Sequence, residues 1–267
     1  MRSTPCEIAG LQGVEVPGLG PTLLFIHGNS ADHRTFEPLL HTPALAGYHR
    51  VALDLPGHGG TPAPGVISLR GLAAAIGAAA DALGAAVVVS HSLGGHLTLQ
   101  ALGHGLLPGV RGVMVQGTPP IPGAAGLGIA FRPTASMGLI FQENLDDEAI
   151  RTWGEEAFGP LCAVPPWFAE AVRATHPSVR PGLAASVATE GLLDEVSVVA
   201  TSPVPLAVLD AEHDPFCAPE HMARLTGPRL WRGAVQPLAA CGHYAPWERP
   251  EAVAAVLVDF LRDVLPS

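Results

Sequence analysis

Val87-Val88-Val89-Ser90-His91-Ser92-Leu93-Gly94-Gly95-His96 passes from a β-branched apolar run, through small residues, into a segment with helical spacing. A serine at such a strand-to-helix turn sits on strained backbone, so the positions two before and two after it must be small. Gly94 meets that demand, and Ser90 stands where a glycine is usual. The turn exposes the Ser92 hydroxyl at the carboxyl edge of a sheet, close to backbone N–H groups that can bind an oxyanion. Leu93 N–H is the first such donor.

Working outward, short apolar runs at Leu23–Ile26, Val51–Leu53, Val87–Val89, Val110–Val115 and Leu206–Leu209 each end at a turn signal. Between them, Leu69–Leu83, Leu93–Leu106 and Glu251–Leu265 have the length and apolar spacing of helices. That alternation predicts a doubly wound, mostly parallel α/β sheet with helices on both faces. Before His27 there is room for one good strand, Gly13–Val16, and a weaker one near Cys6–Ala9, so the N-terminal edge is expected to be trimmed. From Thr118 to about Ser202 the strand rhythm stops, and the chain becomes Pro-punctuated and helical. An insertion that long carries its own helices. The expected division is a core of residues 1–118 and 203–267 and a helical cap of residues 119–202, inserted after the sixth strand. Phe131, Met137, Phe141, Trp153, Phe158, Trp167 and Phe168 concentrate in the cap. Most are expected to pack it onto the sheet and a minority, Phe141 and Trp153 among them, to line a pocket.

Serine is a weak nucleophile at its own pKa and needs an imidazole in reach, with an acid behind it to fix the tautomer. Of twelve histidines, His243 in Cys241-Gly242-His243-Tyr244 follows a late β segment and precedes the last helix, which suits the chain order serine, acid, histidine. After the strand ending at Leu209 the acids are Asp210, Glu212 and Asp214. Asp214 is favoured because it lies past the strand on a turn that Pro215 helps fix, and Glu212 is the fallback. The loop His27-Gly28-Asn29-Ser30 is placed to bring a second oxyanion donor, Asn29 N–H. His27 is read as packing beneath that loop, and Asp54-Leu55-Pro56-Gly57-His58-Gly59 as a tight turn. His96 is expected to pack on the helix after the turn, whereas His91 borders the site.

Composition excludes other classes. Apolar residues make up 48% and charged residues 14% of 267, and no uncharged apolar run approaches a membrane span. The net charge of −10, without a Lys/Arg cluster, disfavours nucleic acid and anionic membranes and fits a small neutral ligand. No apolar segment of signal-peptide length precedes the first strand, so a cytoplasmic location is expected. Cys6, Cys162, Cys217 and Cys241 are far apart, and no metal-binding histidine spacing occurs, so neither metal nor cofactor is expected.

Taken in order over nearly the whole chain, these motifs resemble the α/β-hydrolase superfamily. Serine at the nucleophile position sets the chain apart from members that use aspartate there. Ile26-His27-Gly28-Asn29-Ser30, Asp54-Leu55-Pro56-Gly57-His58-Gly59, Ser92-Leu93-Gly94-Gly95-His96 and Gly117-Thr118-Pro119-Pro120, with Ile140-Phe141 later, are similar to the metal-independent N-acyl-homoserine lactonases of this fold. The resemblance implies an α/β-hydrolase fold, a triad of Ser92, His243 and Asp214, and Asn29 at the oxyanion-loop position. It also implies a small ester or lactone substrate with an apolar acyl group. The cap tyrosine such lactonases aim at the lactone has no counterpart around Asp147–Trp153, which offers Ala149, Ile150 and Trp153. Tyr48 and Tyr244 are the only tyrosines, so that contact is lost or passes to the Trp153 indole N–H. Two rivals stand beside a lactonase: a carboxylesterase with a broad pocket, and a small-molecule receptor with little turnover.

Overall fold

The computed structural model describes residues 2–158 and 162–266. Eight strands form one sheet: β1 (Thr4–Ile8), β2 (Leu11–Val16), β3 (Gly20–Ile26), β4 (Tyr48–Leu53), β5 (Val87–His91), β6 (Gly112–Gln116), β7 (Leu206–Ala211) and β8 (Gln236–Leu238). Their spatial order is β1-β2-β4-β3-β5-β6-β7-β8. The first two are antiparallel to their neighbours, and β4, β3 and β5 to β8 run parallel. The parallel strands are buried on both faces, which is why their sequences are unbroken apolar runs rather than alternating ones.

The N-terminal edge is not trimmed. Thr4–Ile8 and Leu11–Val16 form a hairpin whose turn residues, Ala9 and Gly10, both have positive φ.

Helices cover both faces. Leu69–Leu83 starts where Ser68 Oγ accepts the Gly71 N–H and ends at left-handed Gly84. It packs with Leu93–Gly103 and Glu195–Thr201 against one face, in a core containing Leu24, Ile26, Val88, Val113 and Val208. Pro250–Val264 covers the other, where Phe25, Phe36, Met114 and Phe260 are buried. Between β6 and β7 the insertion carries Asp147–Phe158, Pro166–Ala174, Val179–Glu190 and Glu195–Thr201. Its apolar cluster joins Trp153, Phe158, Trp167 and Phe168 to Phe216 and Tyr244 of the core. Among the described residues no helix is long and apolar enough to cross a membrane.

Strand order positions the site. β3 and β5 are neighbours, with Ile26 beside Ser90, although a crossover through β4 separates them in sequence. The chain reverses direction of travel across the sheet here, which opens a crevice at the carboxyl ends of the strands. The segments after β3, β5, β6, β7 and β8 carry Asn29, Ser92, Gly117, Asp214 and His243 to that edge.

Candidate active site

Ser92 has φ 51° and ψ −121°, a strained conformation for a residue with a side chain, and Leu93–Gly103 begins immediately after it. The strain is held by hydrogen bonds on both sides. Ser92 N–H donates to Gln116 O at 2.9 Å, and its carbonyl accepts from Gly95 N–H at 2.8 Å, His96 N–H at 3.1 Å and Thr118 Oγ1 at 3.1 Å. A side chain at Gly94 would collide with the Ile26 and His27 carbonyls, and one at Gly95 with Thr118. Ser90 is tolerated in place of glycine because its hydroxyl bonds Thr98 Oγ1 at 2.8 Å.

His243 and Asp214 are brought together as expected. His243 Nδ1 lies 2.8 Å from Asp214 Oδ2, with both side chains nearly inaccessible. Asp214 Oδ1 accepts the Phe216 N–H at 2.9 Å. Burial pushes the Asp214 carboxyl upward, but the adjacent imidazole and these hydrogen bonds outweigh it and hold the group below the usual carboxylate range. A carboxylate accepting at Nδ1 leaves His243 Nε2 for the serine. Glu212 is not part of this arrangement, since its Oε2 accepts Ala240 N–H in the turn after β8. Asp210 is raised to about 6 by burial and by the Asp214 charge.

Ser92, Leu93, His243 and Asn29 line one cavity of about 470 Å³. Among the described residues, the backbone N–H groups of Asn29 and Leu93 have no hydrogen-bond partner in the protein. The Asn29 side chain is spoken for: Nδ2 donates to Ile140 O at 3.0 Å and Oδ1 accepts from Ser30 Oγ at 3.0 Å. Arg180, buried, donates in turn to Ser30 Oγ at 3.0 Å, to Gln142 O at 2.6 Å and to Glu143 O at 2.7 Å. His27 is structural as expected, accepting the Leu55 N–H at Nε2 and bonding Gly28 O through Nδ1.

Two expectations about the cavity wall are corrected. His91 does not border the site: it is fully buried behind His243, with Nε2 bonded to the His243 carbonyl at 3.0 Å and its ring 4.6 Å from that of Tyr244. It is the last residue of β5, where the pleat turns its side chain into the packing beneath the loop. His96, expected only to pack, lines the cavity instead. It lies four residues beyond Ser92 and therefore on the same helix face.

Phe141 and Trp153 both line the cavity. So do Phe131 and Met137, making the lining share of the insertion's large apolar residues greater than expected. The residue missed by sequence is Tyr244, on the wall beside His243 and stacked on Phe158 at 4.4 Å. No hydrogen bond joins its hydroxyl or the Trp153 indole N–H to another described residue, and the indole N–H that is both sealed and unpartnered is that of Trp167. For Tyr244, its place next to the histidine was the available signal, but it comes from the core rather than the cap, where a tyrosine was sought.

A model of the alpha/beta hydrolase family matches residues 23–256. The N-acyl homoserine lactonase AidH, in complex with N-butanoyl homoserine, superposes with a TM-score of 0.88 at 26% identity, over 100% of this chain and 98% of that one. The esterase RhEst1 from Rhodococcus sp. ECU1013 has a TM-score of 0.74 at 22% identity, with 98% of each chain covered, a likeness of fold. The 2-succinyl-6-hydroxy-2,4-cyclohexadiene-1-carboxylate synthase of Escherichia fergusonii is 38% identical over 109 residues. That stretch spans 39% of this chain and 40% of the relative.

Proposed function

The chain belongs to the alpha/beta hydrolase family, and from that premise we infer that it is a serine hydrolase opening N-acyl-homoserine lactones. The observation that carries this reading is the 2.8 Å His243–Asp214 hydrogen bond at the edge of a largely apolar cavity that Ser92 also lines. The full-length likeness to AidH supports the lactone as substrate.

In the proposed reaction Ser92 Oγ attacks the lactone carbonyl while its proton passes to His243 Nε2. Asp214 stabilises the imidazolium through Nδ1–H. The carbonyl oxygen, now negative, is received by the Asn29 and Leu93 N–H groups, which need no reorganisation to meet it. The intermediate collapses by breaking the ring C–O bond, and the departing alkoxide takes the proton from His243. Water, deprotonated by His243, then attacks the acyl-enzyme and restores Ser92. Because the alcohol stays tethered to the acyl group, a single product leaves, the N-acyl-homoserine. Trp153 and Tyr244 supply polar contacts to the ring in place of the cap tyrosine, and the apolar wall takes the acyl chain.

The test is hydrolysis of N-acyl-homoserine lactones of several lengths beside aryl esters, by wild type and Ser92→Ala with a chelator present. Rapid, serine-dependent lactone opening is expected. Aryl-ester cleavage without lactone opening would make the protein a carboxylesterase, and turnover by Ser92→Ala would overturn the mechanism.

A further inference from the structure

Most of the cavity wall beyond the catalytic edge is apolar, and among the described residues the ionisable side chains that interrupt it are Arg132 and, on the helix Leu93–Gly103, His96. His96 packs its ring at a tilt against Phe131, centroids 5.6 Å apart, and retains only 10% side-chain exposure. Its Nδ1 is 2.8 Å from Oε2 of Glu195, a carboxylate with no solvent exposure. Glu195 is fully engaged elsewhere too, with Oε1 accepting from Gln100 Nε2 at 2.9 Å and Oε2 from Ile121 N–H at 2.9 Å. Gln100 Oε1 accepts the Leu193 N–H at 3.1 Å, which anchors the network to the insertion.

This is far more construction than packing one histidine requires. Burying a carboxylate is costly unless it is fully hydrogen-bonded, and here three donors converge on it. Their combined effect is to lock one ring orientation. With Nδ1 committed, the other nitrogen, Nε2, has no partner among the described residues, yet it is not sealed from solvent. His96 is itself among the residues that line the cavity.

We propose that His96, oriented by Glu195, is a specificity-determining residue that hydrogen-bonds a hydroxyl on the substrate's acyl chain, just beyond the amide. This rests on the acyl-lactone reading and names a subclass of its substrates. Four residues of helix advance about 6 Å, and helical side chains lean back toward the N-terminus, so His96 looks toward Ser92 from a short way along the chain. The first acyl carbons past the amide lie at a comparable distance from a lactone carbonyl attacked by Ser92. A neutral ring offers a lone pair at Nε2 and a charged ring an N–H. A hydroxyl satisfies either, whereas a keto oxygen satisfies only the second.

The experiment measures kcat/KM for N-hexanoyl- and N-(3-hydroxyhexanoyl)-homoserine lactone with wild type, His96→Leu, His96→Gln and Glu195→Gln. Wild type is expected to favour the hydroxylated lactone by about tenfold, the worth of one hydrogen bond in a partly wet site. His96→Leu should bring the ratio to unity or below while still opening the plain lactone, His96→Gln should retain part of the preference, and Glu195→Gln should reduce it. Equal wild-type rates on the two lactones would overturn the proposal. So would His96→Leu slowing both equally with the ratio intact, the mark of a merely structural residue. If wild type opens neither lactone, it is the lactone reading that fails, and the proposal falls with it.

Discussion

A β-carbon placed on Gly117 would lie 2.8 Å from Cε1 of His243, so the loop after β6 and the imidazole share a gap that admits no side chain. Gly117 also has φ 60° and sits 3.3 Å, by the same measure, from Asp214 Oδ2. Glycine is required here both for its backbone and for its lack of bulk. Gly117→Ala is expected to push the imidazole off its place against Asp214 and lower kcat by about 10²-fold. Stability should drop by about 1 kcal/mol for the left-handed alanine. Circular dichroism and steady-state kinetics on one preparation separate the two effects.

Asp214→Asn keeps the shape of the site but reverses what it presents to His243. An amide at that position no longer stabilises an imidazolium or selects the Nδ1–H tautomer. We expect kcat to fall about 10³–10⁴-fold with KM little changed. A loss of less than tenfold would mean that another acid supports His243.

Asp210 predicts a pH dependence of stability. Its carboxyl is raised from 3.8 to about 6 by burial and by Asp214, so the folded state holds this proton more tightly than the unfolded state does. Its stabilising contribution is therefore present below about pH 4 and lost as pH rises through about 6. Asp210→Asn should be more stable than wild type at pH 7.5, by about 1–2 kcal/mol once partial exposure is allowed for. That advantage should vanish toward pH 4. Urea midpoints across this range measure it, and an advantage independent of pH would refute the assignment.

Arg180 donates to three carbonyls of the insertion, those of Gln142, Glu143 and Val172, and to Ser30 Oγ, and among the described residues no carboxylate pairs with it. Arg180→Met should therefore leave four acceptors short of a donor and cost about 1–3 kcal/mol. Because Ser30 in turn bonds Asn29, kcat is also expected to fall, by about tenfold. Urea unfolding and kinetics on acyl-homoserine lactones check both.

What was legible in the sequence was local. The strand runs, the serine turn, the Asp214 and His243 loops and the helix Leu69–Leu83 are each encoded in a few adjacent residues, and the structure has them where spacing put them. The first strand was faint because Thr4–Ile8 contains Pro5 and is mostly exposed, as an edge strand permits. The exchange of roles between His91 and His96 was not legible. Which way a residue at the end of a strand points depends on the loop beyond it, and the partner that orients His96 is 99 residues away. Tyr244 was hidden for a similar reason, since its stacking on Phe158 and its edge-to-face contact with Trp167 depend on how the insertion folds back.

The bond from Asn29 to the Ile140 carbonyl joins the loop proposed to receive the oxyanion to the stretch Ala135–Phe141, where Phe141 faces both cavity and exterior. Any displacement of that stretch would have to break this bond. The loop beside Ser92 and the outer wall of the cavity are in this way tied into one piece, so that a substitution in either is felt at the other.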